Sequence, residues 1–174
     1  VTAVFDPGAA AAQATDAILA DTLHGIHRGV VVDSPPGAGK STLVVRAALE
    51  LAEAGRPLMV VDTDPYDKAL DGLANVRKSA KAADLTGLPV TISTAAKWAH
   101  VKVDEPWRHA IVDEAYQMRS DALLAVAGLF ERALFVGDPG QLDPFAIVGS
   151  DQWAGLSYDP SGSAVTTLLA HNPE

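Results

Sequence analysis

Apolar positions along this chain fall into short continuous runs, separated by longer stretches with helical spacing. The runs at 29–33, 58–61, 90–93, 110–112 and 133–136 have the length of buried strands and little polar alternation. Between the first two, residues 41–54 place Leu43, Val44, Ala47, Ala48 and Leu51 on one helical stripe, closed by Gly55. An alanine-rich helix precedes them. Phe5-Asp6-Pro7 reads as a staple residue, an N-cap and a first-turn proline, and the helix ends near Gly25. Further helices are expected near 67–78 and 121–130. A last apolar stretch covers 164–170, after the loop-like "DQWAGLSYDPSGS". Continuous apolar strands alternating with amphipathic helices predict an α/β fold, a parallel sheet with helices on both faces.

The chain's 174 residues are one domain's worth, enough to bury a core. Its 48% apolar and 20% charged residues are ordinary for a globular protein. No apolar run is long enough to span a bilayer, and the first residues do not read as a signal peptide. The expected setting is the cytoplasm, with no membrane partner. The chain contains no cysteine, which excludes thiolate catalysis, disulfides and cysteine-ligated zinc. Its five histidines show no ligand spacing tied to carboxylates, so no protein-built metal site is assigned. A formal net charge of −9 argues against a broad nucleic-acid footprint but leaves room for a local basic groove. A start at Val1 suggests a processed or excised piece of a longer protein.

Chemistry enters at "VVVDSPPGAGKSTLVV". It fits the phosphate-binding pattern G-x-x-x-x-G-K-[ST], except that Ser34 stands where the first glycine belongs. The loop Ser34, Pro35, Pro36, Gly37, Ala38, Gly39, Lys40, Ser41, Thr42 follows a predicted strand and opens a predicted helix. Gly37 and Gly39 let backbone N–H groups turn inward as an anion nest, to which the helix N-terminus adds its positive end. Lys40 is placed to reach the β- and γ-phosphates of ATP, and the Ser41 hydroxyl to ligate Mg²⁺. A small residue at position 34 should be tolerated, because the later residues build the nest.

Two more strand ends carry polar motifs. In "HAIVDEAYQM", Asp113 ends an apolar run and is placed to contact Mg²⁺ through water, while Glu114 is a candidate general base. In "LFVGDPGQLDP", Asp138 follows a strand and joins the nucleotide-site candidates, and Gln141 offers an amide to sense the γ-phosphate. All three motifs would converge at the carboxyl edge of the sheet, where such folds bind ligands.

Together the motifs resemble those of superfamily 1 helicases, in the branch with RecD-like and Upf-like enzymes. "SPPGAGKST" resembles their motif I, in which a small residue often replaces the first glycine. "VDEAYQM" resembles motif II, D-E-A-x-Q, and "VGDPGQLDP" resembles motif III, G-D-x-x-Q-L-x-P, a string that separates the family from kinases, GTPases and AAA proteins.

The resemblance implies a RecA-like P-loop NTPase fold over the whole chain, the first of two motor domains. Residues 1–28 would hold the N-terminal helix, and 145–174 an extension towards the second domain. It implies ATP and Mg²⁺ as cofactors and single-stranded nucleic acid, DNA in the first instance, as partner. Gln13 would read adenine. By resemblance Thr63, Thr94 and Lys97 are candidates for phosphate-backbone contacts. Trp98, beside them, is expected to pack in the core. Asp62, Asp64, Asp67 and Asp71 make the region around motif Ia an awkward surface for a polyanion. The short interval from Lys40 to Asp113 leaves little room for an inserted subdomain.

Overall fold

The computed structural model describes residues 6–54, 58–60, 76–78, 90–144, 153, 156 and 159–172. Asp6 caps the first helix, α1 (Pro7–His24), its Oδ1 accepting from Gly8 N at 2.9 Å and Ala9 N at 3.2 Å. Pro7 occupies the first turn, where its missing N–H costs nothing. The apolar stripe after the glycine-rich loop is carried by α2 (Lys40–Glu53). Phe5 and Gly55, expected as staple and stop, lie outside the described residues.

Among the described residues, six strands form one sheet. They are β1 (Gly29–Asp33), β2 (Leu58–Val60), β3 (Val76–Lys78), β4 (Val90–Ile92), β5 (Trp107–Asp113) and β6 (Phe130–Gly137). Their order is β1-β6-β5-β2-β4-β3, and every neighbouring pair is parallel. The register sets Asp33 beside Gly137 and Asp113 beside Val136. The carboxyl ends of β1, β6 and β5 are therefore level, and the residues leaving these strands lie along one edge.

The helix expected near 67–78 is corrected at its end. Residues 76–78 are β3, whose backbone pairs Val76 with Val90 and Lys78 with Ile92. Ladder pairing at the sheet edge overrides a helical spacing that is weak over so few residues. The remainder of that stretch lies outside the described residues. A short helix, α3 (Ala95–Trp98), comes after β4, and the helix expected at 121–130 is α4 (Ser120–Val126). A 3₁₀ turn, Ala127–Leu129, follows α4, and Phe130 already belongs to β6, paired with Trp107. Gly128, a poor helix former, sits in that turn.

Both faces of the sheet are covered, as the alternation along its central strands shows. Ile111, Leu134 and Val136 pack with Leu19 of α1 and with Val44, Ala47 and Leu51 of α2. Their strand neighbours Ala110, Val112, Ala133 and Phe135 point the other way, into a cluster with Trp98, Val126 and Val165. Val165 lies on the last helix, α5 (Ala164–His171). Trp98 is a core residue, as expected: it is fully buried and meets Trp107 edge-on, with ring centroids 5.3 Å apart and planes at 71°. No described helix is long and apolar enough to cross a membrane.

Candidate nucleotide site

The loop between β1 and α2 is fixed at both ends. Ser34 N donates to Gly137 O at 2.8 Å, which ties the loop's first residue to the end of β6. Ser34 is buried there, so the position has room for a small side chain without needing glycine. Ala38 N donates to Pro35 O at 3.1 Å and closes a turn, and Leu43 N donates to Gly39 O at 3.0 Å as α2 begins. Gly37 and Gly39 have φ of +79° and +87°, left-handed values that suit glycine. A Cβ on either would meet nothing within 4 Å. Backbone conformation, not crowding, thus requires these two glycines, and the space beside them is open to a ligand.

Lys40, Ser41 and Thr42 form the first turn of α2, whose leading N–H groups have no partner within the helix. The Lys40 ammonium reaches across to the second motif and forms an ion pair with Glu114 Oε1. Asp113, at the end of β5, is buried. Glu114 has φ 50° and ψ 40°, the only positive φ outside glycine among the described residues. That conformation costs an L-residue about 1–2 kcal/mol. It turns the chain sharply after the strand and sends the Glu114 carboxylate towards the loop. Glu114 Oε2 is buried with no hydrogen-bond partner among the described residues. A buried carboxylate oxygen without a partner among the described residues, beside an ammonium, suits a further polar group.

In the third motif, Asp138 is buried and shapes a turn. Its Oδ1 accepts from Gly140 N at 2.8 Å, and its carbonyl accepts from Gln141 N at 3.2 Å. The Gln141 side chain is bonded to Gln117, whose Nε2 donates to Gln141 Oε1. Gln117 carries the last letter of the D-E-A-x-Q pattern, yet its spacing alone gives it no role. Sequence reading also missed the pair Tyr116 and Asp33, where the phenol donates to Asp33 Oδ1 at 2.6 Å. Partial burial pushes the Tyr116 phenol up to about 12, helped by that bond and by the negative charge of Asp33. The phenol therefore remains a donor throughout the neutral range. No spacing rule joins residues on strands that are not consecutive in the chain.

None of the bonds described above involves Gln13, Thr94 or Lys97. Gln13 is exposed on α1. Thr94 and Lys97 are exposed beyond the end of β4, with β2 lying between β4 and β5 in the sheet. Thr94 caps α3, its Oγ1 accepting from Lys97 N at 3.4 Å. Thr63 and the four aspartates around it lie outside the described residues.

ATP and Mg²⁺ fit these residues. Open space beside Gly37 and Gly39, the ammonium of Lys40 and the Glu114 oxygen that has no partner among the described residues suit a charged, polar ligand. Gly37, Gly39 and Lys40 would hold phosphates, while Ser41 and Asp113 would hold the ion. A parallel sheet with these groups at the carboxyl ends of its central strands defines a RecA-like P-loop NTPase.

The chain belongs to the AAA domain family, whose sequence model matches residues 10–153. No curated protein sequence matches the chain. Among solved structures, it is similar to the Sulfolobus solfataricus SWI2/SNF2 ATPase core domain, with a TM-score of 0.61 and 14% identity over 80% of this chain. It is also similar to the Arterivirus nonstructural protein 10, a helicase solved with DNA, with a TM-score of 0.50 and 22% identity over 72% of this chain. At these identities the likeness is one of fold. The chain spans 33% of each of those two chains. A P-loop ATPase fold accounts for both the family match and the structural likenesses.

Proposed function

We infer that this domain binds and hydrolyses ATP as the first motor domain of a superfamily 1 helicase or translocase, stepping along single-stranded nucleic acid when joined to a second RecA-like domain. The observation that carries this reading is the Lys40–Glu114 ion pair, which joins the loop lysine to the candidate base at one sheet edge. Lys40 neutralises phosphate charge, and Ser41 with Asp113 holds the metal. Glu114 takes a proton from the attacking water, and Gln141, held by Gln117, senses the γ-phosphate. Bound Mg²⁺ supplies the charge that neutralises the phosphate oxygens. Gln13 serves as the adenine reader, and Thr63, Thr94 and Lys97 as contacts to the strand. A second domain would contribute arginines, worth about 10³–10⁵ in rate for such NTPases, so the single domain turns over slowly.

A stand-alone ATPase that never meets nucleic acid is the second reading, favoured by the net charge of −9. Binding of a single-stranded DNA oligonucleotide to the full-length protein across a salt series separates the two. The motor reading expects affinity to fall steeply with salt, at a log–log slope of about −0.7 for each phosphate contacted. Absence of salt-dependent binding would favour the stand-alone ATPase.

A further inference from the structure

Tyr116 leaves the 3₁₀ turn Ala115–Gln117, which follows β5, and its hydroxyl reaches Asp33 at the end of β1. Because β6 lies between β5 and β1, that side chain must pass over the end of β6. The residue at that end is Gly137, and a Cβ there would stand 2.9 Å from Tyr116 Cδ2 and 3.1 Å from the backbone nitrogens of Ala115 and Tyr116. Here the glycine is required by close approach, since its φ is not left-handed. Gly137 also accepts the N–H of Ser34, the residue after Asp33. Tyr116, Gly137, Asp33 and Ser34 thus form one strap across the ends of three strands.

The strap's outer end is a carboxylate. Asp33 is exposed and stands directly before a loop that must receive a polyphosphate. A carboxylate free to swing there would repel that ligand, through a charge interaction that falls as 1/r and is worth most at short range.

We propose that Tyr116 is a positioning residue for the nucleotide site: its hydroxyl pins the Asp33 carboxylate at the start of the phosphate-binding loop, so that incoming phosphates meet a restrained charge. This rests on the reading of Lys40 and Glu114 as the ATP site. Tyr116 touches no reacting atom and acts through Asp33.

The test measures KM and kcat for ATP–Mg²⁺ in the full-length protein for the unchanged form, Tyr116→Phe, Asp33→Asn, the double variant and Lys40→Ala. Phenylalanine keeps the ring over Gly137 and removes only the hydroxyl. Tyr116→Phe is expected to raise KM about fivefold while kcat stays within about twofold. Asp33→Asn leaves KM at or below the starting value, and adding it to Tyr116→Phe abolishes the rise. A structural role for the hydroxyl would not be rescued by removing a charge elsewhere. An unchanged KM in Tyr116→Phe, or a rise that persists in the double variant, overturns the proposal. If Lys40→Ala instead turns over like the unchanged protein, the ATP-site reading itself fails, a distinct outcome.

Discussion

Lys40→Ala is expected to lower kcat/KM for ATP by at least about 10³-fold in the full-length protein, chiefly through lost nucleotide binding. The change has two effects of different size. Removing the ammonium takes away the charge that meets the phosphates, and it also leaves Glu114 without its partner. Breaking a fully buried ion pair costs about 3–5 kcal/mol. The Glu114 side chain is 30% exposed, however, and solvent screens it. The cost in stability should therefore be nearer to about 1 kcal/mol, the range of exposed pairs. The variant should fold, melt within a few degrees of the unchanged protein, and fail to bind ATP. Melting curves alongside nucleotide titration check both halves of the statement.

Glu114→Gln should separate binding from chemistry. Glutamine matches the shape of glutamate but is a far weaker base, so turnover should fall by about 10²–10⁴-fold, the usual worth of a positioned acid–base group. Binding should move the other way. With Glu114 neutral, Lys40 no longer has to give up an ion pair when phosphate arrives, so ATP should bind as tightly as before or more tightly. The two variants thus share a loss of turnover and differ in the sign of the binding effect. Single-turnover kinetics with a direct binding measurement reads both. Unchanged turnover in Glu114→Gln would remove Glu114 as the base.

These opposed signs follow from the geometry of the Lys40–Glu114 pair. Lys40 is held by Glu114, and the proposed function gives both a part in the chemistry. On the proposed function, phosphate binding replaces Glu114 as the partner of Lys40. That exchange frees the carboxylate for water.

How far the sequence discloses this site depends on whether the signal is local. Lys40 and Ser41 are legible because strand, glycine-rich loop and helix follow one another within a few residues. Asp113 is legible because it ends an apolar run. The left-handed backbone at Glu114 is not legible, since nothing in Asp-Glu-Ala asks for positive φ. The strand at Val76–Lys78 is hidden for a related reason, because three residues carry too little periodicity to outweigh the helical spacing around them.

Strand order accounts for the rest. The bond from Tyr116 to Asp33 exists because β6 lies between β5 and β1, an arrangement that hydrophobic pattern does not encode. Ser34 looks like a defect in the loop pattern only while the loop is read alone. Its N–H on Gly137 and its burial show a position that needs a small residue and not a left-handed one. Trp98 is legible as a core residue despite its place beside Thr94 and Lys97, and its edge-on contact with Trp107 agrees.

The central claim is that Lys40 exchanges Glu114 for nucleotide phosphate at the carboxyl edge of β1, β6 and β5. A structure of the protein with a non-hydrolysable ATP analogue and Mg²⁺ tests it most directly. The account predicts the phosphates beside Gly37 and Gly39, Lys40 turned from Glu114 onto the β- and γ-phosphates, and the ion on Ser41 near Asp113. A nucleotide bound elsewhere, or one bound with the Lys40–Glu114 pair intact, would contradict it.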